Sequence, residues 1–173
     1  MAGRLVLLVL LVPYVLWLVC SYEYHFLDGV NLAFHEAGHL FLAFFGTTLQ
    51  FLGGTLGQLF FPVACAVHFL RRDQPFEACL MGIWACESGM YAARYIADAQ
   101  EQILPLVGGH IHDWHWLLSR WGVLGSCEAI GAAVHGIASV GAVACLTLGA
   151  SMLAREHRAC RSEERPLAVT PQA

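Results

Sequence analysis

The sequence contains no lysine. All nine basic residues are arginine, and Arg, Asp and Glu together make up only 13% of its 173 residues. That excludes an ordinary water-facing surface, since soluble domains carry roughly 25% charged residues. The net charge of -4 excludes the basic footprint of a nucleic-acid-binding protein. The seven cysteines (Cys20, Cys65, Cys79, Cys86, Cys127, Cys145 and Cys160) form no C-x-x-C pair and are odd in number. They read as small buried apolar residues, not as a disulfide framework or a zinc knuckle. No small-x-small cleavage pattern follows the apolar run Leu5 to Val19; the next residues are Ser21-Tyr22-Glu23-Tyr24. The run therefore reads as an uncleaved membrane helix, in which Pro13 allows a kink.

What the chain has instead is hydrocarbon-like sequence: 58% hydrophobic residues and a mean hydropathy of +0.60. The class this implies is an all-α, polytopic membrane helix bundle, with the lipid bilayer as its first partner. Apolar runs at about 5–19, 28–45, 55–70, 76–97 and 123–153 predict five spans. Residues 1–154 then form a single integral membrane domain, and 155–173 a charged, disordered tail. Arg71, Arg72, Arg155, Arg158, Arg161 and Arg165 outweigh Arg4, so the tail and the Arg71-Arg72 loop are expected in the cytoplasm and the N-terminus outside. Asp28 is a candidate N-cap of the second span. The stretch Gly46 to Gly54, with two adjacent glycines, reads as a break in the helix. Glu128 and His135 share a face and are expected to point into the bundle.

Within the second span stands His35-Glu36-Ala37-Gly38-His39. On a helix the two histidines lie one turn apart on one face, so two imidazoles can converge on one cation, with Glu36 beside them to activate water. Each ionisable group in a span is costly, on the order of 2.5–3.5 kcal/mol on insertion scales. Three within five residues need a shared reason, and a bound metal ion supplies it. Zinc is the default metal for this motif. Asn31, one turn earlier, is either a partner that orients a ligand or a polar residue at the interface. Further candidates are Glu87, near the middle of the fourth span, and the cluster His110-Ile111-His112-Asp113-Trp114-His115, which is either a supply of ligands or an interfacial segment.

The His-Glu-Ala-Gly-His motif in a membrane helix, followed by Gly53-Gly54, resembles the site-2 protease group of membrane zinc metallopeptidases. The resemblance implies cleavage of membrane-protein or peptide substrates within the bilayer. It makes His35 and His39 metal ligands and Glu36 the catalytic base. That group takes its third ligand from an Asp on a later helix, usually in an Asn-x-x-Pro…Leu-Asp-Gly pattern, which is missing here; Leu27-Asp28-Gly29 precedes the motif and does not carry the role. The chain is also similar to small bacterial membrane proteins that share Asn-Leu-x-x-His-Glu-Ala-Gly-His, Tyr-Ile-Ala-Asp-Ala and His-Asp-Trp segments. That likeness covers roughly residues 30–122, implies a bacterial inner membrane and brings no activity with it.

The third ligand is expected from Asp98, then His112 or Asp113, then Glu87. Asp98 ends its helix while the imidazoles lie near mid-depth, an axial gap on the order of 15 Å. A fold-back of Leu104 to His115 into the bundle closes it. Three functions compete: a zinc-dependent intramembrane peptidase or hydrolase, a metal transporter or sensor without hydrolysis, and a structural membrane protein.

Overall fold

The computed structural model describes residues 2–107 and 111–163. All regular structure among them is helical. Helix α1 is Ala2–Ser21, α2 Phe26–Leu42, α3 Thr47–Arg71, α4 Pro75–Ala97, α5 Asp113–Arg120 and α6 Cys127–Glu163, with 3-10 turns at Ala43–Phe45 and Leu124–Ser126.

The bundle is built around α4, which packs against α1, α2, α3, α5 and α6. Its buried positions include Ile83, Glu87, Ser88, Met90, Ala92, Ala93 and Ile96. Helix α1 does the opposite: Val6, Val9, Leu10 and Leu16 are each more than half exposed, as expected of a helix whose solvent is lipid. Arg4 binds Glu77 at 2.6 Å and Glu156 at 3.3 Å, tying α1 to α4 and α6. The N-terminus therefore lies at the same end as the Arg71-Arg72 loop and residues 155–163, not at the opposite end as the arginine count predicts.

Among the described residues three helices are long and apolar enough to cross a membrane: α1, α3, and α6 with the turn before it. The sequence predicts five. Helix α4 has the length, about 34 Å at 1.5 Å per residue, but carries Glu77, Glu87 and Arg94. A helix wrapped by its neighbours has no need of an apolar surface. Helix α2, at 17 residues, spans about 25 Å, less than the roughly 30 Å hydrocarbon core.

The glycine pair does not break the chain. The break falls earlier, at Gly46, whose φ of +95° only glycine adopts freely. Gly53 and Gly54 lie inside α3, where they let it approach α2. A Cβ on Gly38 would run into the Gly53 carbonyl, and one on Gly53 would sit 2.6 Å from the Gly38 oxygen. Backbone-to-backbone contact cannot yield as a side chain can. Gly38→Ala is therefore expected to lower the thermal midpoint of the purified chain, with a cost at or above the about 1–3 kcal/mol of an overpacked core. Gly136→Ala, with nothing within 4 Å of its Cβ, is expected to leave the midpoint unchanged or raise it slightly, since alanine is the better helix former. A thermal melt in detergent reads both.

Three further expectations change. Asp28 is not the N-cap of α2 but its third residue; its carboxylate accepts from the backbone N–H of the capping His25 at 2.7 Å. Glu128 is exposed on α6, while His135 meets the Val19 carbonyl at 3.2 Å. Residues 155–163 continue α6, and the rest of the expected tail, 164–173, lies outside the described residues.

Candidate metal centre

Helical spacing puts His35 and His39 on one face of α2, with ring centroids 4.7 Å apart and planes at 83°. Both Nε2 atoms approach the same atom, Oδ2 of Asp113, at 3.0 Å from His35 and 3.2 Å from His39. The three ligand atoms lie within 4.8 Å of one another and can hold a metal ion. Ligands about 2.0–2.1 Å from a tetrahedral ion are about 3.3 Å apart, close to these spacings.

The partners of the other ring nitrogens decide what the Nε2 atoms can do. Nδ1 of His39 is 2.7 Å from the backbone oxygen of Gln50, an obligate acceptor. Nδ1 of His35 is 3.0 Å from Oε1 of Gln58, and the Gln58 amide is oriented by donating from Nε2 to the Ser88 carbonyl at 2.9 Å. Both imidazoles thus donate through Nδ1, leaving Nε2 of each neutral ring as a lone pair. Two lone pairs and a carboxylate oxygen, all acceptors, face one another in a mostly buried site. A proton satisfies one such pair; a cation satisfies all three at once.

Gln58 was visible in the sequence only as a lone amide in an apolar span. At 1% exposure it orients His35, the role the sequence suggested for Asn31. Asn31 instead donates to Glu87 at 2.8 Å and accepts from Trp84 at 2.9 Å. Gly54 makes room for the His35 ring, which a Cβ there would strike.

Asp113 arrives because the segment after α4 folds back. His112 caps α5, its Nδ1 accepting from the His115 N–H at 3.2 Å. The Asp113 N–H donates to the Tyr95 hydroxyl at 3.2 Å, and Tyr95 stacks on His112 at 4.0 Å. Trp114 Nε1 donates to Thr55 at 3.1 Å, and Trp116 lies against Phe51 at 4.6 Å. These contacts fasten α5 across α3 and α4. Burial pushes the Asp113 carboxyl up, but in the metal-free site a protonated His35 or His39 donates to it through Nε2 and holds it below the usual carboxylate range. Burial lowers the His112 imidazole despite the nearby Asp98 and Asp113 charges.

Asp98, first in the expected order of ligands, is not brought to the imidazoles. Its carboxylate accepts from the backbone N–H groups of Ile103 and Leu104 at 2.9 and 3.1 Å, so it shapes the turn that starts the fold-back. His112 is not brought there either. Its Nδ1 is committed to the cap and its Nε2 faces Asp98 at 3.4 Å. Glu87 belongs to a separate cluster with His25 and Asp28. His110 lies outside the described residues.

Glu36 is half-buried and lines a cavity of about 460 Å³ together with His35, His39 and Asp113. Among the described residues no hydrogen bond or ion pair engages its carboxylate, which leaves it free to take a proton. The other walls are largely apolar, with Leu32, Leu40, Phe51, Leu106 and Ile111 among them. No family model matches the chain, and no curated protein or solved structure is similar to it.

Proposed function

We propose that the chain is a membrane-embedded, zinc-dependent hydrolase in which His35, His39 and Asp113 hold the metal and Glu36 is the base. One observation carries the reading: two imidazoles committed to donating through Nδ1 turn their Nε2 lone pairs on the same Asp113 oxygen. Two imidazoles and a carboxylate suit zinc and leave a fourth position for a reactant. A bound zinc ion supplies Lewis acidity and makes water nucleophilic at neutral pH. Glu36 takes the proton released by the attacking water and returns it to the leaving group. The apolar cavity walls limit access of bulk water and receive an apolar segment. Among the described residues the cavity lining holds Glu36 and Asp113 and no arginine, which favours a neutral acyl substrate over an anionic one; a peptide bond in an unwound membrane segment fits. The arginines of the Arg71-Arg72 loop and of α6 favour a cytoplasmic C-terminus, with the N-terminus on the same side because Arg4 pairs with Glu77 and Glu156; the membrane we infer is a bacterial inner one.

The test is turnover of a fluorogenic membrane-peptide reporter by the purified chain in liposomes. Cleavage is expected to stop when a strong chelator strips the metal and to return when zinc is added back. Cleavage indifferent to chelation overturns the reading. Metal retention with no turnover of peptide or ester reporters replaces it with a metal-binding membrane protein that does not hydrolyse.

A further inference from the structure

A second group of ligand-type side chains lies where α2 meets α4 and the connection after α1. His25, Asp28 and Glu87 place one ligand atom each within 4.8 Å of one another. Asp28 and Glu87 are both 0% exposed. Two carboxylates in such a setting need a cation or a shared proton close by. Among the described residues no arginine is hydrogen-bonded or ion-paired to either of them, and His25 alone cannot neutralise both.

The hydrogen bonds locate the deficit. Asp28 is well served: Oδ2 accepts from the His25 backbone N–H at 2.7 Å and lies 2.8 Å from His25 Nδ1, and the Tyr22 hydroxyl donates to Oδ1. Glu87 Oε2 accepts from Asn31 at 2.8 Å. Glu87 Oε1 is not served. Tyr22 lies 3.4 Å away, but its single proton is spent on Asp28, and His25 Nε2 is 3.7 Å away, beyond a hydrogen bond. His25 Nδ1 faces two acceptors, Asp28 and the Glu23 carbonyl at 3.1 Å, so it carries the ring proton and Nε2 is the lone pair. The Tyr14 hydroxyl, 2.8 Å from Nε2, donates to that lone pair. The unserved carboxylate oxygen lies 3.7 Å from the same nitrogen, so a cation bound there takes the place of the Tyr14 proton.

We propose that His25, Asp28 and Glu87 form a second divalent-cation site, distinct from the His35–His39–Asp113 centre. The 3.7 Å between Nε2 and Oε1 is near the separation of two ligands on one ion, about 3.3 Å for a tetrahedron. With two carboxylates to one imidazole, this site has a harder donor set than the first, which favours manganese or iron(II) as well as zinc. Asp28 and His35 are seven residues apart on α2, so the two sites lie about 10 Å apart along one helix. The inference does not rest on hydrolysis at the first site.

Elemental analysis after loading the purified chain with zinc or manganese and desalting tests it. The expected result is two cations per chain, one remaining in His35→Ala/His39→Ala, and one lost in Glu87→Gln. The glutamine keeps the acceptor for Asn31, and a melt confirms that the variant folds. One cation per chain that vanishes in His35→Ala/His39→Ala overturns the proposal, as does an unchanged content in Glu87→Gln. One cation that survives in His35→Ala/His39→Ala and is lost in Glu87→Gln upholds it and removes the metal from the proposed hydrolase centre. A manganese electron-spin signal in His35→Ala/His39→Ala, absent when Glu87→Gln is added, gives the same answer without counting.

Discussion

Replacing Asp113 with asparagine is expected to weaken zinc binding by at least about a hundredfold, while Asp98→Asn leaves it unchanged. The two acids lie fifteen positions apart on the same return segment, and only one of them reaches the imidazoles. Losing an outer partner of a metal ligand costs about 10–100-fold in affinity, and loss of a ligand that faces both histidines lies at or beyond that upper end. Asparagine keeps the volume and one oxygen but removes the charge that two imidazole nitrogens converge on. Asp98→Asn weakens the turn at Ile103 and Leu104 and shows in the melt, not in the binding isotherm. Competition with a chromophoric chelator measures both. Equal loss in the two variants sinks the assignment of Asp113.

The pH dependence of that binding has a definite sign. Burial raises the Asp113 carboxyl, but the imidazoles, once protonated in the absence of metal, donate to it and hold it below its usual range, so it stays ionised at neutral and mildly acid pH. Protons then compete with zinc mainly at the imidazoles, which bind metal only when neutral. Affinity is expected to fall as the pH drops, without a separate carboxylate step near pH 4. In the metal-free chain the depressed carboxyl stabilises the fold above the usual carboxylate range and loses that contribution as the pH falls through its folded value.

The half of the centre that lies on one helix is legible from the sequence. His35, Glu36 and His39 are related by helical spacing alone, and a pattern of period 3.6 fixes their common face. Asp113 is legible as a ligand type but not as the ligand. Its approach depends on Tyr95, Thr55 and Phe51 catching α5, and contacts between residues this far apart leave no periodic trace. The same limit applies to Gln58, which reads as a blemish in α3 until the His35 ring is seen against it. Gly53 and Gly54 mislead for a different reason. Glycine marks a turn in water-soluble sequence, but between membrane-type helices it also permits close packing, and only the facing Gly38 decides between the two. The count of five is not confirmed at α4, because hydropathy measures contact with lipid and this helix, long enough to span, carries Glu77, Glu87 and Arg94 and has neighbours around it instead.

Glu36→Gln is expected to abolish most turnover while leaving zinc affinity within about threefold of the parent chain, since among the described residues its carboxylate is hydrogen-bonded to none of His35, His39 and Asp113 and so is not one of the partners whose loss loosens a ligand. Glutamine has nearly the same volume, lies in the same half-buried position on the cavity wall, and loses only the capacity to take a proton. Removing a general base costs about 10²–10⁴ in rate, so cleavage of the membrane-peptide reporter should fall by roughly a thousandfold. The split between the two readouts carries the argument. A structural role for Glu36 has little to act through, because among the described residues no partner holds its carboxylate. If the variant keeps both metal and turnover, the base lies elsewhere. If it loses both, Glu36 supports the site and does not act in the reaction. Metal retained and turnover lost is the result that belongs to an acid placed beside a cation to move a proton.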